Sequence, residues 1–318
     1  MKLALTLLII VIGNLTFAQG TVEAEIDTTY NYQFKSIKKN NKKKILVDKG
    51  HNSIYSNESG VITAREMFRI IKEDGYALSF TDEKLNAETL KSESTDLLLL
   101  HGMPNNRIKL TTDSISETLY LSPLANEEVE SIGKFVFNGG GLLLFLSHFP
   151  NGSGALPLLE AFNVKFRDGY ANQHQFHTSK GGKCGHFLMN SDNQMVNSNH
   201  EIFRSAIDTS TIPENIRFYC GAAVFRNPED VILGFPNNTI NYTPTEENID
   251  AEEMSSSYAG MIGFKYGLGR VIICTDQGIF RSLDLFIDGE KIPVTIHDPN
   301  SENAGLLLNS LRWLTKNQ

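Results

Sequence analysis

The 318-residue chain holds three cysteines, one tryptophan and no excess of positive charge. So few cysteines exclude a disulfide-built scaffold, and none of Cys184, Cys220 and Cys274 stands in a CxxC pair. Cys220 and Cys274 end apolar, strand-like runs and are expected as buried thiols, with one bridge among the three as the alternative. A formal charge of −8 excludes a general nucleic-acid binder, which needs a cationic surface to displace counterions. Beyond the N-terminus no apolar run approaches the about 20 residues that cross a bilayer, so no transmembrane span is expected after signal removal. What is present, 41% hydrophobic and 21% charged residues, is the composition of a chain that buries a sizeable core.

Residues 1–18 read as a secretory signal peptide. Lys2 gives the positive start, residues 3–12 form a short apolar stretch, and Thr16-Phe17-Ala18 precedes the expected cleavage before Gln19. The LTFAQ ending resembles signal peptides of Bacteroidota, and a periplasmic or secreted location follows. Residues 19–43 form a basic lead-in whose KSIKKNNKKK run is a solvated linker or a contact for an acidic polysaccharide or lipid headgroup.

From residue 44 apolar runs alternate with helical periodicity. KILVD (44–48), YALSFT (76–81), DLLLL (96–100) and GLLLFL (141–146) are strand-like, with helices expected over 60–74, from Asn126 to Gly139, and over 155–162. Strands apolar along their whole length indicate a parallel sheet covered on both faces. Runs at 215–220, 231–235, 258–264 and 270–275 read as further strands, 237–257 as a polar acidic loop, and 301–314 as a closing helix. The expectation is one three-layer α/β/α domain over 44–318 with a mostly parallel sheet and a loop-rich insertion at about 167–257.

In such a sheet ligands bind beyond the carboxyl ends of the strands. Those ends carry Asp48, followed by His51 and Asn52; His101; Ser147-His148; and Asp276. Asp48, His51, Asn52, His101, His148 and Asp276 are the candidate ligand-binding residues, with Phe149, Tyr170 or Phe280 available to stack on a sugar ring. Catalytic candidates are His148, His101, Ser147 and Asp276, although Ser147 lacks the flanking glycines of a nucleophile elbow. Asp48, His51, His101 and His148 are suitable types for a divalent metal, and His174, His177 and the Cys184-Gly185-His186 run add to them, but no HExxH is present. Gly152-Ser153-Gly154 could cradle an anion on backbone amides, without the lysine of a P-loop.

The order ILVDKGHN, DGY, DLLLLHG, NGGGLLLFLSHFP and later NHEIF, GLGRVIICTDQGIF and NAGLLLNSLRWL resembles a known group over roughly residues 44–316. It is similar to class I glutamine amidotransferase-like, flavodoxin-like domains of the DUF4350 type. That type is related to gliding-motility and intraflagellar-transport proteins and, more distantly, to ThuA-like proteins. The resemblance implies a crevice at the strand ends. It also exposes a departure: amidotransferases carry a cysteine at the elbow after the fourth strand, where this chain has Ser147-His148, so glutamine hydrolysis is not carried over. Three functions stand open: a non-catalytic domain binding a carbohydrate or other polar small molecule, a hydrolase using strand-end His and Asp with or without metal, and an interaction module with a protein partner in the envelope.

Overall fold

The computed structural model describes residues 22–25, 29–36, 43–111, 116–172, 186–204, 213–244, 249–253, 257–287, 289–292 and 296–316. The expected signal peptide, part of the lead-in, His174, His177 and Cys184 lie outside them. Nine strands build the central sheet: β1 (Lys44–Asp48), β2 (Ala77–Thr81), β3 (Leu97–His101), β4 (Gly141–Phe145), β5 (Lys165–Arg167), β6 (Ala223–Phe225), β7 (Val231–Gly234), β8 (Ala259–Tyr266) and β9 (Gly269–Cys274). Their order is β2-β1-β3-β4-β9-β8-β6-β5, with β7 paired to β8. The first five in that order run parallel. The rest extend the sheet by antiparallel pairing.

The middle strands are apolar throughout because both their faces are covered, and alternate side chains enter two separate cores. Ile45, Val47, Leu97, Leu99, Leu143, Phe145 and Ile272 pack on one side. Leu46, Leu98, Leu100, Leu142, Leu144, Val271 and Ile273 pack on the other. The first core is closed by α1 (Glu58–Thr63), α2 (Arg65–Glu73) and the late helix; the second by α3 (Ala87–Ser92), α4 (Asn126–Phe137) and α5 (Leu156–Ala161). After α6 (Glu201–Arg204), α7 (Asn303–Leu314) lies on the first face. The result is the three-layer α/β/α architecture with a mostly parallel sheet.

The helix expected over 60–74 is two helices divided at Ala64. Gly60 explains the first: a Cβ there would sit 1.6 Å from the Ile54 carbonyl oxygen, so only glycine lets α1 pack on the preceding turn. Asp74, at the end of α2, is fully buried and accepts two bonds from Arg312 of α7, at 3.0 and 2.9 Å. This bidentate pair locks the two helices that cover the first face.

Two expectations are corrected and one element is added. The polar stretch 237–257 contains an antiparallel pair, Ile240–Pro244 with Ile249–Glu253, whose first strand also pairs with Tyr170–Asn172. Cys220 is disulfide-bonded rather than a free thiol, whereas Cys274 is free and buried. The segment between β3 and α4, to which the sequence assigned nothing, forms a two-stranded ribbon, Asn106–Thr111 with Ser116–Leu121. Among the described residues no helix is long and apolar enough to cross a membrane.

Candidate functional site

In chain order the parallel strands are β1, β2, β3, β4, β9, yet β1 lies between β2 and β3. The chain therefore reverses direction across the sheet after β2. The helices after β1 cover one face and α4, after β3, covers the other. The crevice of an open α/β sheet lies at such a switch point, here between the carboxyl ends of β1 and β3. Both exits are sharply turned: His51 and Asn52 have φ of 47° and 58°, and Gly102 has φ of 84°. Positive φ is costly for residues with a Cβ, so tertiary contacts must hold the first turn. Asn52 supplies one, donating from Nδ2 to the Pro104 carbonyl at 2.8 Å and to Asn106 Oδ1 at 3.0 Å. It thereby ties the two loops together across the switch point.

His51 supplies the other. Its Nδ1 lies 2.9 Å from Asp48 Oδ1 and its Nε2 lies 2.9 Å from Glu128 Oε1. Both neighbours are carboxylates, so both ring nitrogens donate and the ring is an imidazolium. Burial disfavours that charge, but the hydrogen bonds and charges of Asp48 and Glu128 outweigh it and raise the His51 pKa. Burial pushes the Asp48 carboxyl up, against the pull of His51. Glu128 is held low: burial opposes this, but main-chain N–H groups of Ala125 and Leu85, together with His51, prevail. Asp48 is fully buried, and among the described residues its Oδ2 has no hydrogen-bond partner. Ring 15N spectra of His51 are expected to show both nitrogens protonated at pH 7; a signal from one bare nitrogen at that pH would contradict the arrangement.

The other strand-end residues are placed differently. His101 is fully buried: Nε2 donates to the Gln277 carbonyl at 2.6 Å and Nδ1 accepts from the Tyr55 hydroxyl. Burial pushes its pKa down to about 3, so the ring is neutral. Asp276 is buried, and its oxygens accept from the main-chain N–H of Tyr219 at 2.8 Å and of Gly278 at 2.7 Å. Burial still pushes its carboxyl up to about 7. Ser147 is buried, and among the described residues its hydroxyl has no partner. His148 donates from Nδ1 to the Phe149 carbonyl at 2.7 Å and stacks on Tyr170 with centroids 4.6 Å apart. Phe280 is fully buried against Phe145 and presents no face to a ligand. The four metal candidates do not converge, and among the described residues no three His, Cys, Asp or Glu side chains could hold a metal ion together. Gly152 and Gly154 serve close packing: Cβ atoms there would meet the Ser147 and Met103 carbonyls at 2.4 and 2.0 Å.

Around these buried groups runs a polar and aromatic rim, of which the sequence pointed to Asn52, Phe149 and Tyr170 but not to Asn105, Asn106, Arg107, Tyr120 or Asn151. Arg107, on the ribbon, donates from Nη2 to Asn151 Oδ1, and Asn105 donates to Ser153 Oγ at 2.6 Å. Tyr120, opposite Arg107 in the ribbon, meets the Phe149 ring edge-on at 6.1 Å. The Tyr170 hydroxyl donates to the Phe149 carbonyl at 3.0 Å. Asn52, Asn106, Arg107 and Tyr120 are exposed, and Asn151 and Phe149 half-buried. Asn52-Asn106-Arg107-Asn151 therefore forms a row of amide and guanidinium groups beside an aromatic patch, above the ends of β1, β3 and β4.

No family model matches the chain, and no curated protein matches it. Solved structures that resemble it include a ThuA-like protein from Bacteroides uniformis, 13% identical, covering 90% of this chain and 95% of its own, with a TM-score of 0.45. A ThuA-like protein from Parabacteroides merdae is 13% identical over 86% of this chain and 90% of its own, TM-score 0.40. An exo-β-1,4-mannosidase from an Opitutaceae bacterium is 9% identical over 74% of this chain and 31% of its own, TM-score 0.36.

Proposed function

We propose that this chain is a non-catalytic binding domain for a hydroxyl-rich small molecule, carbohydrate being the class, acting in the periplasm or outside the cell. The observation that carries the reading is the division of labour at the strand ends. Asp48, His51, Glu128, His101 and Asp276 spend their polar atoms largely on one another and on the main chain. No nucleophile–base pair is formed among them. The accessible rim is made of amides, which donate and accept as hydroxyls require, and of aromatic rings that offer apolar surface to a sugar face. In this reading the chain sides with the DUF4350 and gliding-motility-like group whose motif order it resembles, and residues 1–18 direct its export.

The test is a melting-temperature screen of the protein beginning at Gln19, with mono- and oligosaccharides and divalent metals. A ligand that binds only the folded state raises the midpoint by mass action. A saccharide-dependent rise is expected. It should weaken by about tenfold in affinity in Asn106→Ala and in Asn52→Gly, which keeps the turn of the backbone. Turnover of the saccharide, abolished by His148→Ala, would replace this reading with a hydrolase. A rise with a metal that chelator reverses would point to metal-assisted chemistry. No rise with any saccharide, and capture of a protein from the envelope instead, would replace it with an interaction module.

A further inference from the structure

Three arginines that are at least partly buried pair with carboxylates. Arg312 pairs with Asp74, Arg217 with Asp298 at 2.7 Å, and Arg226 with Asp230 at 2.8 Å. Arg270 rests on the Trp313 ring, 5.7 Å from its centroid, and on the Lys316 carbonyl. Arg281 is different. It is half-buried in the turn after β9, where Nε donates to Thr63 Oγ1 at 3.0 Å. Among the described residues neither of its Nη atoms has a hydrogen-bond partner, and no carboxylate forms an ion pair with it. Asp276 is the acid whose field reaches it, but the two Asp276 oxygens already accept from Tyr219 and Gly278. Neither Nη atom is sealed from solvent, so the fork stays open to a ligand.

The segment that carries Arg281 is fastened to the crevice. The Gln277 carbonyl accepts from His101, at the end of β3. The Gln277 side chain lies over Gly102 at the switch point, with Oε1 3.0 Å from where a Cβ would stand. Among the described residues that amide makes no hydrogen bond either. Gln277 and Arg281, one turn apart, thus hold three unspent donor groups on the loop that follows β9 at the strand ends. A guanidinium fork and a neighbouring amide are the donors that a planar carboxylate takes up.

We propose that Arg281, assisted by Gln277, is a carboxylate-binding subsite of the crevice, and that the ligand is a sugar acid rather than a neutral sugar. This rests on the carbohydrate reading above. Three probes of nearly equal shape test it by calorimetry on the intact domain: D-glucuronate, its uncharged amide D-glucuronamide, and D-glucose. The expected result is glucuronate binding at least about tenfold more tightly than either neutral probe, the scale of one charge-assisted hydrogen-bond pair. In Arg281→Met that advantage should vanish while glucose binding is unchanged. Should the variant fail to fold, the glucuronate and glucuronamide comparison on the unaltered protein decides alone. Equal binding of the three probes, or an advantage that survives in folded Arg281→Met, overturns the subsite and leaves the carbohydrate reading standing. Absence of binding by all three probes and by the oligosaccharides overturns both.

Discussion

His51→Ala is expected to destabilise the protein by about 3–5 kcal/mol at neutral pH, the cost of leaving buried carboxylates without their shared cation. Asp48 would keep neither oxygen partnered by a side chain, and Glu128 would keep only main-chain donors. The loss should depend on pH with a defined sign. The His51 pKa is raised in the folded state, so its contribution is full below the ordinary histidine value and fades as pH rises through the raised one. Glu128 is lowered, so its contribution is present above the ordinary glutamate value and fades as pH falls through the lowered one. Urea unfolding at pH 5 and pH 9 is therefore expected to show a larger deficit for His51→Ala at pH 5, where the imidazolium contribution is full. His51→Gly separates the two roles of this residue: it relieves the positive φ yet still loses the cation, and should recover only about 1 kcal/mol. A variant as stable as the parent at both pH values would dismiss the triad.

Arg312→Met is expected to cost a similar about 3–5 kcal/mol, for a purely structural reason. Asp74 has no exposed surface and loses both of its bonds from Arg312. The companion change is more telling. In Asp74→Leu/Arg312→Met neither charge is left buried, and most of the loss should return, because a buried ion pair recovers little more than its own desolvation. A double-mutant cycle by denaturant unfolding measures this; strictly additive losses would mean that the two side chains do not act as a pair.

The strands were legible because burial on both faces leaves a signature needing no partner information: LLLL and GLLLF admit few alternatives. The strand ends were legible for the same reason, since topology alone places Asp48, His51 and Asn52 beside a crevice. Their chemistry was not. Glu128 reads locally as an acid suited to a helix start, yet its partner His51 lies 77 residues earlier. His101 reads as a free strand-end imidazole until Tyr55 and Gln277 arrive from 46 and 176 residues away. The ribbon holding Arg107 alternates apolar and polar residues but exposes Ile108, Leu110, Tyr120 and Leu121, so no burial pattern marked it. Arg281 sits in a stretch without periodicity, and its importance lies in a missing partner, which a sequence cannot display.

The position of β9 bears on how the chain comes to be folded at all. It is nearly the last strand made, yet it sits in the middle of the sheet, parallel to β4 and antiparallel to β8. Until residues 269–274 are synthesised, β4 has an open apolar edge, the kind of edge that recruits other chains. Long-range parallel pairing is also the slow part of sheet formation, since a large loop must close before any contact repays it. Vectorial folding from the N-terminus therefore stalls at a half-sheet, and a chain cut short before β9 would be an adhesive edge rather than a smaller domain.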